Sequence, residues 1–162
     1  MAKRTSAGTP ATATLTAQGI SFTPHPYDHD PAAASFGLEA AEALGVDADR
    51  VFKTLLADVD GVLVVGVVPV TGQLDLKSLA ASAGGKRAVM ADPAIAERKT
   101  GYVVGGISPI GQKTRLRTVV DESASLFPTV FVSGGRRGFD VELSPADLVS
   151  VTGATLAAIA RH

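Results

Sequence analysis

The residues of this chain most able to do chemistry lie in a glycine-rich stretch, residues 101–113, with the sequence GYVVGGISPIGQK. Four glycines and a proline interrupt its apolar residues, so it cannot form the interior of an ordinary strand or helix. The neighbouring Gly105 and Gly106 would leave backbone N–H groups uncovered, and such groups can hold an anion or a carbonyl oxygen. A turn that only connects two strands is the alternative interpretation.

The spacing of this stretch argues against a nucleotide-binding P-loop. Gly106 and Gly111 have the right separation, but a P-loop needs its lysine directly after the second glycine, and Gln112 stands there before Lys113. Residues 116–120 then alternate like a strand, whereas a P-loop continues into a helix. We therefore reject nucleotide binding for this loop.

Two charged residues, Lys53 and Asp140, interrupt apolar runs that are typical of strands. A lysine rooted in a strand can direct its ammonium at a ligand carbonyl or phosphate, although simple alternation would place it in solvent. Asp140 has the same ambiguity, and a hairpin would bring Ser133 close to it. A serine and an aspartate without a neighbouring histidine make a poor nucleophilic triad.

The composition is that of one compact domain without a strong attraction for nucleic acid. The chain has 162 residues, 46% of them hydrophobic and 19% charged, and its net charge is -1. Any RNA contact would therefore need a local basic patch or a partner protein. Five cations could form such a patch or could simply be solvated: Lys113, Arg115, Arg117, Arg136 and Arg137.

The sequence predicts neither a metal nor a cofactor. It contains no cysteine, which removes thiol nucleophiles, disulfides and cysteine-based zinc sites. The segment HPYDHD, residues 25–30, offers two histidines, but it lacks a third histidine or a cysteine, and Asp28 and Asp30 would alternate away from one face. We interpret this segment as a polar loop at the end of a strand.

No segment is typical of a secretory leader or a membrane span. No apolar run follows the two cations near Met1, and the apolar residues 62–70 are interrupted by Gly66 and Pro69. We therefore expect a cytoplasmic protein without membrane contact. Residues 1–8 are predicted to be a disordered extension that precedes a single domain, residues 9–162.

Helices and strands are predicted to mix without a regular βαβ period, which is typical of an α+β fold. Caps, prolines and glycine stops predict helices within residues 9–18, 38–44, 75–83 and 92–100, and one after residue 144. Apolar runs predict two hairpins, of residues 51–57 with 62–68 and of residues 129–133 with 139–143. Further strands are predicted at residues 88–90 and 116–120, and two prolines restrict a strand at residues 21–26 to a sheet edge.

Five fragments along the chain resemble the YbaK family of aminoacyl-tRNA deacylases, which is related to the editing domain inserted in prolyl-tRNA synthetases. The resemblance extends from about residue 9 to residue 160. The fragments are YDHD (residues 27–30), FGLEAAEALG (36–45), VFKTL (51–55), GYVVGGISPIG (101–111) and VSGGRRGFDVEL (132–143). Each fragment alone would be a weak signal, and their order makes the resemblance specific.

The resemblance implies a mixed, partly barrel-like β-sheet flanked by helices, and an enzyme that hydrolyses the aminoacyl ester of mischarged tRNA. The implied substrate is Cys-tRNA(Pro), and the implied partners are the 3' aminoacyl end of the tRNA and prolyl-tRNA synthetase. Such editing serves translation fidelity, because one pocket separates amino acids that differ by a few apolar atoms by only about 1–3 kcal/mol.

Matching motifs assign the functional positions. The implied catalytic residues are Lys53, Gly105, Gly106 and Asp140, and the implied substrate-binding residues are Tyr27, Phe36, Ile107, Ser108, Ser133 and Arg136. Lys53 would hold the terminal ribose or phosphate, and backbone N–H groups at Gly105 would face the ester carbonyl. In this family the thiol of the substrate cysteine attacks the ester, so the resemblance implies neither a protein nucleophile nor a cofactor.

Two alternatives remain open from the sequence. Related editing domains remove alanine through a bound water, and a sequence does not give the pocket volume that would separate cysteine from alanine or serine. A non-catalytic module that binds tRNA or a synthetase on the same fold is the other alternative. Lys53 and the intact glycine loop argue against it, since a pure binder needs no carbonyl cradle. The sequence indicates no oligomeric state.

Overall fold

The computed structural model describes residues 8–33 and 35–162. The predicted disordered extension, residues 1–8, lies outside this part of the chain except for Gly8, which is exposed. Within the described part, no helix is long and apolar enough to cross a membrane.

The helices begin at side-chain caps, as the sequence predicts. At each N-cap a hydroxyl or carboxylate oxygen accepts a hydrogen bond from a first-turn N–H. The second helix begins earlier than predicted, at Phe36, because the Ser35 hydroxyl accepts from the Leu38 N–H at 3.3 Å. The helices are α1 (Pro10–Ala17), α2 (Phe36–Leu44), α3 (Leu76–Ser82), α4 (Pro93–Thr100) and α5 (Pro145–Thr152).

The strands form three sheets in the described part of the chain. The sheet orders are β5-β2-β3-β6-β9, β1-β8-β7 and β10-β4. The strands are β1 (Thr23–Pro26), β2 (Phe52–Val59), β3 (Val62–Pro69), β4 (Gln73–Leu74), β5 (Ala88–Met90), β6 (Arg117–Asp121), β7 (Val130–Arg136), β8 (Phe139–Leu143), β9 (Thr155–Ala157) and β10 (Ala160–Arg161).

Both predicted hairpins are present, and the first of them is at the centre of the fold. Strands β2 and β3 pair from Phe52 with Pro69 to Val59 with Val62, and β6 and β9 extend this sheet in parallel. Strand β3 is buried on both faces: Val65 and Val67 belong to one apolar core and Val64 and Val68 to another.

The smaller sheet carries the second hairpin, β7 with β8, and β1 lies at its edge, where its two prolines are tolerated. One parallel bridge, between Val51 just before β2 and Phe131 in β7, joins its backbone to the large sheet, and side chains of both sheets pack in one apolar core. In the described residues the strands therefore form separate sheets and do not close a barrel. The predicted mixed α+β fold is confirmed.

The last strands were not predicted, because they are too short to show alternation. Asp121 fixes them: its Oδ1 accepts hydrogen bonds from the N–H groups of Ile159 (2.9 Å) and Ala160 (3.0 Å). This buried carboxylate anchors the C-terminal segment, and β10 then pairs with β4.

Candidate active site

A cavity of about 390 Å³ opens between the two sheets, a volume typical of small-ligand sites. Its floor is the outer edge of β2, and its walls come from the start of α2, from α4 and the glycine loop, and from β7 and β8. Most of the lining is apolar. The polar side chains in its wall are those of Tyr27, Ser35, Lys53, Thr54, Ser133 and Asp140.

The cavity exists because the edge of β2 is only partly paired. Strand β5 covers residues 57–59 of β2, and the Leu56 carbonyl accepts from the Ala91 N–H at 3.0 Å. Backbone groups alternate in direction along an antiparallel strand, so Thr54 turns its N–H and C=O to the same open side. The Thr54 hydroxyl is also buried without a hydrogen-bond partner among the described residues. Sequence analysis missed this residue, because an unpaired edge is a property of the assembled sheets.

Lys53 lies next to this gap. It is half-buried, it lies opposite Val68 in the β2–β3 hairpin, and its side chain lines the cavity. Burial lowers the pKa of its ammonium below the ordinary value, and among the described residues no carboxylate forms an ion pair with it. An unpaired, partly desolvated ammonium is available to an anionic or carbonyl ligand.

Asp140 and Ser133 face each other across the β7–β8 hairpin, as predicted. Asp140 is only 6% exposed, and burial raises the pKa of its carboxyl to about 7. No hydrogen-bond donor among the described residues reaches that carboxyl. The Ser133 hydroxyl accepts from the Gly135 N–H at 3.2 Å, inside the bulge that precedes the hairpin tip. A buried carboxyl with a pKa near neutrality is a candidate acid–base group.

Tyr27 completes this side of the cavity. Its N–H donates to the Gly138 carbonyl at 2.9 Å, which fixes the residue beside the β7–β8 turn. Burial raises the pKa of its phenol to about 12, and the negative charges of Asp140 and Glu39 add to that effect. The phenol is thus protonated at neutral pH and can donate a hydrogen bond to a ligand.

The glycine loop reaches the cavity through one tight turn. Gly101 ends α4 in the left-handed conformation, and the Gly106 N–H donates to the Val103 carbonyl at 2.8 Å. The Gly106 N–H is therefore occupied by a hydrogen bond within the loop and is not available to a ligand. The N–H of Gly105, which lines the cavity, has no partner among the described residues.

The structure brings seven of the ten predicted site residues to the cavity: Tyr27, Phe36, Lys53, Gly105, Ile107, Ser133 and Asp140. The other three lie outside its lining. Gly106 is buried against the backbone of Arg136, whose guanidinium lies 4.9 Å over the Phe139 ring. Ser108 is fully buried, and its hydroxyl accepts from the Ile110 N–H at 3.1 Å.

The two histidines of residues 25–30 bind different carboxylates. His25 Nε2 lies 2.8 Å from Glu142, and His29 Nδ1 lies 2.8 Å from Glu39. Among the described residues, no group of three or more histidine, aspartate or glutamate side chains is arranged to hold a metal ion.

Comparison with known proteins shows that the fold is that of a tRNA-editing hydrolase. The family model for the aminoacyl-tRNA editing domain matches residues 30–151. The chain belongs to this family, which confirms the resemblance seen in the sequence. It is accordingly an enzyme, an aminoacyl-tRNA deacylase that acts on the aminoacyl ester.

Individual relatives refine the comparison. The chain is 40% identical over 120 residues to a protein of Enterococcus faecalis named Cys-tRNA(Pro)/Cys-tRNA(Cys) deacylase EbsC, covering 74% of this chain and 73% of that protein. It is 32% identical over 100 residues to a proline–tRNA ligase of Maridesulfovibrio salexigens, covering 62% of this chain and 17% of the ligase. A solved structure described as a trans-editing enzyme for prolyl-tRNA synthetase superimposes with a TM-score of 0.82, at 25% identity, covering 99% of this chain and 100% of that one.

Proposed function

We propose that this protein acts in trans on mischarged proline tRNA and that its main substrate is Cys-tRNA(Pro). The observation that carries the proposal is the lining of the cavity. The lining includes an ammonium, a carboxyl of raised pKa and Gly105, whose backbone N–H has no partner among the described residues, and it includes neither cysteine nor histidine. Such a site suits an ester whose own side chain supplies the nucleophile.

The proposed reaction is attack by the substrate thiol on its own ester carbonyl. The sulfur forms a bond to the carbonyl carbon, the bond to the ribose oxygen breaks, and the thiol proton ends on that oxygen. The product is a four-membered thiolactone, which water then opens to free cysteine. Holding sulfur and carbonyl together replaces a bimolecular step with an intramolecular one.

Each cavity residue has a distinct part in this proposal. Asp140, with a pKa near the working pH, takes the thiol proton and passes it to the leaving oxygen. The Gly105 N–H stabilises the developing oxyanion, and one such donor contributes typically about 2.7–4 kcal/mol. Lys53 holds the terminal ribose or phosphate, and the Tyr27 phenol donates to the aminoacyl group.

The 3' aminoacyl end of mischarged tRNA and prolyl-tRNA synthetase are the proposed partners. The net charge of -1 gives the protein little long-range attraction for RNA, so recruitment by prolyl-tRNA synthetase would raise the local tRNA concentration. Adding the synthetase is expected to lower the KM for tRNA and leave kcat unchanged. An unchanged KM would contradict recruitment.

Release of the amino acid from proline tRNA tests the proposal. The tRNA is charged with cysteine, serine, alanine or proline, and single-turnover rates are compared. Cysteine should leave fastest, with serine at least about tenfold slower, because its hydroxyl replaces the thiol and is a much weaker nucleophile. Equal rates for cysteine and serine would favour attack by a bound water. Release at the spontaneous rate from all four would contradict the proposal.

A further inference from the structure

The turn that presents Gly105 has a defined type. The bond from the Gly106 N–H to the Val103 carbonyl closes a four-residue turn whose central residues are Val104 and Gly105. Gly105 has a φ of 89°, whereas Val104 is not among the described residues with positive φ. A negative φ followed by a positive one defines a type II turn. A type I turn would rotate the central peptide by about half a circle and reverse its N–H and C=O.

Two side chains hold the two sides of Val104. Its N–H donates to Glu97 Oε2 at 2.8 Å, and its carbonyl accepts from Arg137 Nε at 2.8 Å. A trans peptide is planar, so the Val104 C=O and the Gly105 N–H point in opposite directions. The bond from Arg137 to the carbonyl therefore fixes the direction of the Gly105 N–H, away from the guanidinium.

Arg137 is itself held in place. Its guanidinium carbon lies 5.2 Å over the Phe36 ring, and Phe36 lines the cavity. The exposed arginine thus connects the β7–β8 tip, the start of α2 and the glycine loop. Its neighbour Arg136, the residue implied by the motif, covers Phe139 instead.

We propose that Arg137 is a positioning residue: it holds the Val104–Gly105 peptide in the type II orientation that directs the Gly105 N–H into the cavity. The charged donor also polarises the peptide, which strengthens the opposite N–H as a hydrogen-bond donor. This inference rests on the proposed deacylase reaction. It adds a residue that contacts the loop and stays outside the reacting atoms.

The test combines kinetics with an amide probe. Arg137→Ala is expected to lower the single-turnover rate on Cys-tRNA(Pro) about 10- to 100-fold, with KM changed less than about twofold, because an oxyanion donor acts in the transition state. Millimolar guanidinium should restore part of the rate in Arg137→Ala and none in the wild type. The matched control is Arg161→Ala, which also removes an exposed arginine with one hydrogen bond, 3.1 Å to Gln73. It should keep the full rate.

The Gly105 amide is followed separately in ¹H–¹⁵N spectra. Its signal should move in Arg137→Ala and stay in place in Arg161→Ala, whether or not the protein is active. An active wild type with a full rate in Arg137→Ala, or an unmoved Gly105 signal, would overturn the inference. A wild type that releases no amino acid, with a shifted signal in Arg137→Ala, would contradict the proposed function and leave the positioning of the turn standing.

Discussion

Two acidic side chains on one face of β8 differ in what surrounds them. Asp140 and Glu142 are two residues apart, so they point to the same side of the strand. Glu142 binds Thr129, His25 and Arg50, and these contacts, the Thr129 hydrogen bond above all, lower its pKa. Asp140 has no such partner among the described residues, and burial raises its pKa to about 7.

The cations nearby follow the same division. Arg50, just before β2, donates to Thr129 and lies 3.5 Å from Glu142, whereas Lys53, within β2, remains unpaired in the cavity. The charges of Glu142 and Arg50 are paired within the protein, whereas Lys53 and Asp140 in the cavity have no partner among the described residues. Charged groups without partners among the described residues therefore line the cavity, whereas the paired ones connect β8 to neighbouring segments.

Removing the cavity cation should have the largest effect. Lys53→Ala is expected to lower release at least about 100-fold, because it deletes the charged group that we propose contacts the substrate. Its free energy of unfolding should change by less than about 1 kcal/mol, since no ion pair is lost. Single-turnover release and urea unfolding measure the two quantities. Arg50→Ala is the counterpart and should lose stability while retaining activity; full activity in Lys53→Ala would remove Lys53 from the mechanism.

Neutralising the cavity carboxyl should come next. Asp140→Asn keeps the shape and removes the proton acceptor, so the rate of release should fall roughly 100-fold. The rate of the wild type should rise as the pH increases through about 7, and the variant should lack this limb. Release rates are measured from about pH 5.5 to about 8.5 for both proteins. If the rate of Asp140→Asn still rises through about pH 7, the increase belongs to the titration of another group.

The satisfied carboxylate should respond in the opposite way. Glu142→Gln removes a charge that Thr129, His25 and Arg50 contact, so we expect the free energy of unfolding to fall by about 1–3 kcal/mol. Release should stay within about twofold of the wild type. A strong loss of activity at unchanged stability would mean that both carboxylates serve the site.

The last expected effect is on the pH dependence of stability and does not involve the rate of release. Because the folded-state pKa of Asp140 is raised from 3.8 to about 7, the folded state binds more protons than the unfolded state between these values. The wild type should therefore lose up to about 4 kcal/mol of unfolding free energy as the pH rises through this range, since each unit of pKa shift corresponds to about 1.4 kcal/mol. Asp140→Asn should lose less over the same range, and parallel curves would place the titration elsewhere.

Local patterns made much of the fold predictable. Hairpin β2–β3 follows from two apolar runs around a glycine turn, and the caps at Thr9, Asp75, Asp92 and Ser144 follow from residue type. The motifs also predicted residues that meet at one cavity. The pairing of Ser133 with Asp140 is a local consequence of one hairpin.

The rest depends on contacts between distant segments. The open edge at Thr54 exists only because β5 and β7 approach β2 at different points. The motif predicted Arg136, Gly105 and Gly106 as site residues. In the structure, it is Arg137 that bonds to the glycine loop, and it follows the bulge between Ser133 and Arg136. No sequence pattern records which of two adjacent arginines faces the loop.

The most direct test of the account is the titration of Asp140 by ¹³C NMR, with and without a stable cysteinyl-adenosine analogue in which an amide replaces the ester. The free protein should show a carboxyl with a pKa of about 7, and the bound ammonium of the analogue should lower that pKa, because an opposite charge favours the carboxylate. A carboxyl that titrates near its ordinary value and does not respond to the analogue would contradict the claim that this cavity holds the aminoacyl ester.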